Sequence, residues 1–295
     1  MLRLTKFALG LAVTAAAAPA GAHGGNDHAD APGWTFDPLV MLGLTLVLIL
    51  FLVGRHRLDK RSKVPRAGGL WFVGGWLVLA AALVSPLHEG GEQSFTLHMI
   101  EHELIMLVAT LLMSVNAVGG ILAWGLPDGL RQMLGRGWKA PFAALWRHLT
   151  QPVTATVIQA LMLWAWHAPA MFDRALQSPG WHIAQHLSFI LASLAFWRAM
   201  FDLRRGNELL GALCLFLTSL VEGALGALMA LSSSNWYAGY AAMDLSGIGL
   251  DPVIDQQLAG LLMWIPGGLV HGAAALVLLY RWLARSGGRH AQTVL

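Results

Sequence analysis

Charge is the scarcest property of this sequence. Asp, Glu, Lys and Arg together make up 12% of the 295 residues, whereas apolar residues make up 56%. A soluble domain of this size carries about 25% charged residues, because it must cover its surface with polar groups. The composition therefore excludes a soluble globular protein and predicts a membrane protein.

Cysteine is almost absent. The single Cys214 lies in an apolar run, so the chain cannot form an internal disulfide or a cysteine-based zinc site. Any metal site must use histidine, methionine or carboxylate side chains. The sequence also lacks G-x-x-x-x-G-K-[ST], G-x-S-x-G and H-E-x-x-H. It thus shows no sign of nucleotide binding, a serine hydrolase or a zinc protease, and we expect a protein that is not an enzyme.

Residues 1–22 have the pattern of a signal peptide. Arg3 and Lys6 precede a short apolar core at 7–18, and Ala20-Gly21-Ala22 forms a small-residue cleavage site. An uncleaved anchor helix is the alternative, although the apolar core is shorter than the roughly 20 residues that a span requires.

Residues 23–36 then form a polar periplasmic tail that contains histidine. If the signal peptide is removed, the free amine and the ring of His23 offer a chelate for copper, with His28 nearby. A tail that is simply solvated is the alternative.

Seven apolar segments follow, each long enough to cross a membrane as a helix. They cover residues 37–54, 68–86, 95–117, 152–172, 181–201, 208–231 and 256–282. Sixteen of the seventeen Lys and Arg residues after residue 22 fall at alternate ends of these segments, and only Arg174 lies on the other side. By the positive-inside rule, this predicts an all-α bundle of seven transmembrane helices (37–285) in the plasma (inner) membrane. The N-terminus lies outside, and a tail (286–295) lies in the cytoplasm.

Histidines gather at the predicted outer ends of these segments. Two pairs have a spacing of four residues, which places both rings of a pair on one helix face. The six are His88, His98, His102, His167, His182 and His186. A single histidine there is typically an interfacial or hydrogen-bonded residue. Six at one depth predict a metal or cofactor site, because ionisable groups in a membrane are costly and usually functional.

The side chains around these histidines favour copper. Neutral imidazoles suit copper, zinc and haem iron, and the thioethers of Met99 and Met106 favour Cu(I), although helix packing also explains both methionines. Glu101, Glu103 and Asp255 are candidates to accept hydrogen bonds from ligand rings. Stabilisation of a helix N-terminus is the alternative role for these carboxylates.

Two more polar residues, Glu222 and His271, fall near the middle of the sixth and seventh segments. They can pair structurally or form a proton or ion relay. Both interpretations stay open.

Four motifs together resemble a known family. They are His98-Met99-x-x-His102, Trp166-His167-Ala168-Pro169, His182-x-x-x-His186, and the run from Asp255-Gln256-Gln257 to Met263-Trp264. In a seven-span context, they resemble the CtaG-type multispanning cytochrome c oxidase assembly factors over about residues 35–285. The resemblance implies a role in maturing a haem-copper oxidase by handling copper at the outer face. It also implies functional roles for these histidines and for the Asp255-Gln256-Gln257 run.

The expected partners are an oxidase subunit or another copper chaperone, within the lipid of the membrane. Nucleic acid is not expected, since the basic residues are sorted by membrane side. Two alternative functions remain. One is a haem-binding electron carrier, in which histidine pairs supply axial ligands. The other is a copper or proton transporter that uses Glu222 and His271.

Overall fold

The computed structural model describes residues 32–60, 66–115, 118–136, 139–202, 208–243 and 251–293. All regular secondary structure in these ranges is helical, as predicted. The helices are α1 (Pro38–Asp59), α2 (Arg66–Val84), α3 (Pro86–Gln93), α4 (Phe95–Glu103), a π-helical stretch (Leu104–Ala109), α5 (Thr110–Ser114), α6 (Val118–Gly125), α7 (Asp128–Arg136), α8 (Lys139–Leu149), α9 (Pro152–His167), α10 (Pro169–Gln177), α11 (Pro179–Phe201), α12 (Glu208–Ala230), α13 (Ala238–Ala241) and α14 (Pro252–Thr293). The predicted signal peptide and the tail residues 23–31 lie outside these ranges.

Prolines set the starts of several helices. Pro occupies the first helical position of α1, α3, α9, α10 and α11, where its missing N–H costs no helical hydrogen bond. Before α1, Asp37 adds a side-chain cap. Its Oδ1 accepts from the N–H groups of Leu39 and Val40 at 2.8 and 3.0 Å.

Within the described residues, four helical stretches are long and apolar enough to cross a membrane. They are Pro38–Asp59, Phe95–Ser114, Glu208–Ala230 and Pro252–Ser286. A fifth span results if Gly68–Val84 and Pro86–Gln93, which are bent by 46° relative to each other, are counted together. The protein is therefore a multi-pass membrane protein. The count of seven spans and the orientation of the termini stay predictions.

The surface of α1 fits a lipid environment. Leu39, Leu42, Leu46 and Leu52 are each more than half exposed. Apolar side chains that face outward along a whole helix are costly in water but favourable in hydrocarbon.

The predicted fourth segment, 152–172, is two helices rather than one. Helix α9 ends at His167, and Ala168 has an extended backbone (φ −63°, ψ 129°) before Pro169 opens α10. A residue that precedes proline is disfavoured in the helical region, because the proline ring collides with it. The break leaves His167 at the last position of α9.

The predicted third segment is one helix with a π-helical interruption. The N–H of Thr110 donates to the carbonyl of Ile105, five residues earlier. The carbonyl of Met106 accepts from the Thr110 hydroxyl at 2.7 Å and from the Trp197 indole N–H at 2.9 Å. The regular register that aligned Met106 with His98 and His102 is thus interrupted.

Helices α12 and α14 pack closely through two glycines. A Cβ atom on Gly226 would lie 2.6 Å from the carbonyl oxygen of Gly260, and one on Gly260 would lie 2.5 Å from that of Gly226. Any side chain at either position would force the helices apart, so glycine allows the contact. In the same pair of helices, Glu222 on α12 lies close to His271 on α14.

A candidate metal centre at one end of the bundle

The structure brings all six predicted histidines together at one end of the bundle. His88 comes from α3, His98 and His102 from α4, His167 from the end of α9, and His182 and His186 from α11. Ring centres are separated by 4.3 Å (His98–His102), 4.4 Å (His182–His186), 5.2 Å (His88–His182), 5.3 Å (His102–His186) and 6.4 Å (His102–His167). The ends of the helices that carry these histidines therefore adjoin, as a shared site requires.

In the part of the chain that the structure describes, two sets of three histidines have the geometry to hold a metal ion. In one set, His88, His182 and His186 each offer a ring nitrogen within 4.8 Å of the others; in the second, His98, His102 and His186 do the same. His186 belongs to both sets. We call all five residues, together with His167, the histidine cluster.

Six of the twelve ring nitrogens of the histidine cluster are buried and have no hydrogen-bond partner among the described residues. His102 lacks a partner at both nitrogens, and Nε2 is buried and unpartnered in His98, His167, His182 and His186. An unpartnered buried polar group costs about 1–3 kcal/mol, so native proteins rarely retain several together. A bound cation that accepts their lone pairs would remove this cost.

Tyr240 sets the tautomer of His98. Its hydroxyl donates to the carbonyl of Gly91 at 2.5 Å and lies 3.1 Å from His98 Nδ1. Burial raises the pKa of the Tyr240 hydroxyl well above its usual value, so it remains protonated. Because its one proton goes to Gly91, the oxygen accepts from Nδ1–H of His98. His98 Nε2 is then free of a proton and available as a ligand.

His167 is held in the same way by the backbone. Its Nδ1 lies 2.7 Å from the carbonyl of Leu163, and since a carbonyl only accepts, Nδ1 carries the proton. The carbonyl of His167 in turn accepts from the Tyr237 hydroxyl at 3.0 Å. The first contact fixes the ring, with its unprotonated Nε2 free, and the second holds the backbone of His167.

Glu101 lies within the histidine cluster and is fully buried. Its Oε1 accepts from His88 Nδ1 at 2.7 Å and lies 3.8 Å from His186 Nε2. Its Oε2 has no hydrogen-bond partner. Glu101 therefore orients His88 and supplies a negative charge beside both histidine sets.

Asp255 is placed at the start of α4. Its carboxylate accepts from the Ser94 hydroxyl at 2.9 Å and from the N–H groups of Phe95 and Thr96 at 2.6 and 3.1 Å. These are the free backbone donors of a helix N-terminus, so Asp255 caps α4 from α14. It positions the helix that carries His98 and His102, and it makes these contacts with the backbone and a serine rather than with a ring.

The two glutamines that follow Asp255 tie down the connecting loop. Gln256 accepts from the N–H of Trp236 at 2.7 Å and donates to the carbonyl of Ser234 at 3.0 Å. Gln257 donates to the carbonyl of Ser232 at 2.9 Å. The Asp255-Gln256-Gln257 run thus joins α14, α4 and this loop.

The two candidate methionine ligands lie in the main hydrophobic core. Met99 and Met106 are 1% and 4% exposed and belong to the cluster of buried apolar residues at the centre of the bundle. Aromatic rings pack against the histidine cluster: the ring centre of Phe172 lies 5.1 Å from that of His98, and the ring centre of Phe189 lies 4.9 Å from that of His102. Ligation by either thioether stays a prediction.

The remaining candidates form a second polar group deeper in the bundle. His271 Nδ1 lies 3.0 Å from Glu222 Oε2 and 3.0 Å from the Gly267 carbonyl. A Cβ atom on Gly267 would lie 3.3 Å from Glu222 Oε2 and 3.7 Å from Glu103 Oε2, so both carboxylates point to one place. The His271 ring stacks on Trp197 at 5.3 Å with an interplanar angle of 4°.

Two buried polar residues, one in the site and one beside it in the sequence, were missed by the sequence analysis. Tyr240 belongs to the loop before α14, and its contact with His98 joins residues 142 positions apart. Gln185, next to His186, is fully buried, and neither atom of its amide group has a hydrogen-bond partner. For Gln185, the available signal in the sequence was its position, since it is a polar amide in the helix that carries His182 and His186.

The donor atoms of the histidine cluster fit a first-row metal ion. Three converging neutral imidazoles suit copper or zinc, and the cluster contains no thiolate, which a structural zinc site typically uses. Three ligands also leave a position open for an incoming donor from another protein. The arrangement can therefore bind such an ion and release it.

Comparison with known proteins identifies one family. The model of the family described as cytochrome c oxidase caa3 assembly factor (Caa3_CtaG) matches residues 49–285. No curated protein and no solved structure matches the chain.

Proposed function

The chain belongs to the family of caa3 cytochrome c oxidase assembly factors, and we propose that it holds copper at the histidine cluster and passes it to an oxidase subunit. In this role, copper is cargo and the protein is a chaperone that catalyses no reaction. One observation carries the proposal: five histidines form two overlapping sets of three, and four of the five have a buried ring nitrogen without a partner among the described residues.

The proposed topology has seven spans, an external N-terminus and a cytoplasmic C-terminus in the inner membrane. Helix direction supports this topology. In α11, His182 lies near the start of the helix and Arg198 near its end; in α14, Asp255 lies near the start and Arg285 toward the end. Arginines therefore lie at the helix ends opposite the histidine cluster, and basic residues favour the cytoplasmic side. The cluster then faces the periplasm or cell exterior, where another copper chaperone can supply the metal.

Metal analysis of the purified full-length protein tests the proposal. We expect Cu(I) to remain bound through gel filtration in detergent. The combined substitution His102→Ala with His186→Ala should weaken binding by at least about a hundredfold, since it removes ligands from both sets. His148→Ala changes an exposed histidine of α8 outside the cluster and should leave binding unchanged.

The cellular consequence is measured as copper content and activity of the oxidase. Cells that carry only the His102→Ala, His186→Ala variant should assemble an oxidase that lacks copper. Normal oxidase in those cells, or a purified wild-type protein that takes up no copper, would refute the proposal.

The geometry favours a compact ion over haem. Neighbouring rings of the cluster are in direct contact, with centres 4.3–5.3 Å apart, and a porphyrin between two axial histidines would have to separate them. An absorption spectrum distinguishes the two cases, because haem has an intense near-ultraviolet band and Cu(I) has none. Appearance of that band in the purified protein would favour the electron-carrier function.

The deep polar group favours a second candidate function, transport of copper or protons. Glu222, His271 and Glu103 are acidic or basic groups placed among the long apolar helices, which is typical of ion pathways. Transport predicts that Glu222→Ala abolishes uptake into vesicles while metal binding at the histidine cluster is unchanged. Equal uptake by the variant and the wild type would exclude this function.

A further inference from the structure

The two histidine sets differ in their access to solvent. In the first set, the His88 side chain is 15% exposed and His182 is also partly exposed. In the second, His98 and His102 are 1% and 3% exposed. We call the pair His88 and His182 the outer pair, and His98 and His102 the inner pair. An ion that arrives from solvent meets the outer pair first.

His186 is the ligand that both sets share. It is 6% exposed, and its unpartnered Nε2 is buried. Its ring centre lies 4.4 Å from that of His182 and 5.3 Å from that of His102. His186 can therefore remain bound to an ion while the other two ligands are exchanged.

The number of ligands limits the cluster to one fully coordinated ion in these two sets. Five histidines make two sets of three only because His186 is counted in both. If two ions were bound together, one of them would keep only two of its three imidazoles. Full coordination is therefore available at either set but not at both.

Glu101 reduces the electrostatic cost of movement between the sets. Its Oε1 lies 2.7 Å from His88 Nδ1, in the outer pair, and 3.8 Å from the shared His186. A buried carboxylate attracts a cation strongly, because little solvent screens it. Since it lies beside both sets, the ion keeps this attraction in either one.

We propose that the histidine cluster binds one Cu(I) ion in two successive positions, first at the outer pair and His186, then at the inner pair and His186. This inference rests on the proposed copper-binding function. The outer pair sets how fast copper enters and leaves, and the inner pair sets how tightly it is held. His186 transfers the ion between them.

Exchange kinetics with a chromophoric Cu(I) chelator test the two positions. The experiment uses the full-length protein in detergent. It compares three variants: the outer-pair double variant (His88→Ala and His182→Ala), the inner-pair double variant (His98→Ala and His102→Ala), and the single variant His186→Ala. The outer-pair variant should retain one Cu(I) at nearly wild-type affinity but load and release it about tenfold more slowly. The inner-pair variant should lose at least about tenfold in affinity and exchange quickly. His186→Ala should show both defects, and His148→Ala neither.

Gel filtration shows whether each double variant folds. If a double variant does not fold, the single variant His182→Ala tests the inference instead. This partly exposed residue should tolerate replacement, and its loss alone should slow loading. If outer and inner variants lose affinity equally with unchanged loading rates, the cluster is one undivided site and the inference is wrong, although copper binding stands. If the wild-type protein binds no Cu(I), the proposed function fails as well.

Discussion

The histidine cluster and the deep pair of Glu222 with His271 are both buried polar groups, but they are built differently. In the cluster, neutral rings lie against one another with many nitrogens unpartnered, and one side reaches solvent. In the deep pair, the ring contacts a carboxylate at 3.0 Å and stacks on Trp197, and it is fully buried. The first arrangement gains from a bound cation. The second already places a ring beside a carboxylate, as in a structural ion pair. We therefore expect the deep pair to contribute more to stability than to ligand binding.

The largest expected effect is a difference in how much the deep pair and the histidine cluster contribute to the free energy of unfolding. Glu222→Ala leaves His271 buried without its carboxylate, and removing one partner of such a pair costs about 3 kcal/mol. Replacing both residues by leucine should cost much less, because no uncompensated charge remains. Denaturant unfolding in detergent micelles measures both variants.

The matched comparison is His102→Ala in the histidine cluster. His102 has no hydrogen-bond partner to lose, so its removal should change the free energy of unfolding without copper by less than about 1 kcal/mol. If Glu222→Ala proves as mild as His102→Ala, the deep pair is not a structural contact, and the relay interpretation gains support.

A second prediction concerns the support beneath the inner pair. Asp255→Ala removes the acceptor for two backbone N–H groups and the Ser94 hydroxyl at the start of α4. We expect a loss of about 2 kcal/mol in unfolding free energy, together with weaker copper binding. The deep pair lies farther along α14, so its contribution to the free energy of unfolding should be unchanged.

Asp251→Ala is the control for this change. Asp251 is exposed, and its carboxylate accepts from the nearby N–H of Val253 at 2.8 Å. Loss of this contact should cost about 0.5–1 kcal/mol and leave copper binding unchanged. Equal effects of the two substitutions would show that Asp255 does not position the inner pair.

The smallest predicted effect is on the tautomer of His98. Tyr240→Phe removes the hydroxyl that accepts from His98 Nδ1, so Nε2 is no longer held free of its proton. We expect copper affinity to fall about tenfold, as for other groups that orient metal-binding histidines. Nitrogen NMR of the His98 ring should show a mixture of tautomers.

Tyr280→Phe serves as the control, because this tyrosine is 73% exposed on α14. It should change neither copper affinity nor the His98 spectrum. An unchanged tautomer in Tyr240→Phe would show that other contacts orient the ring.

Much of the histidine cluster was predictable because it depends on local periodicity. His98 and His102, and likewise His182 and His186, are four residues apart, and helix geometry alone puts each pair on one face. The sorting of basic residues to alternate segment ends placed all six histidines at the same depth. The all-α fold followed from the long apolar segments in the same way.

Local spacing along the chain did not predict where the helices are interrupted. The π-helical stretch after Glu103 shifts the register, so Met106 does not simply continue the line of His98 and His102. Pro169 does mark the end of α9 in the sequence, but proline also occurs inside α14, at Pro266, without ending that helix. Proline therefore ends one helix and lies inside another, and packing decides between these two outcomes.

The sequence by itself determined the membrane class, the helical fold and the pairing of histidines along each helix, since these depend on composition and on residues a few positions apart. Only the tertiary structure decided that His186 serves two sets, that Tyr240 sets the tautomer of His98, and that Asp255 caps α4 from about 160 residues away. Such contacts depend on how helices pack. The free energy of packing comes from many surfaces at once, and no local spacing in the chain records it.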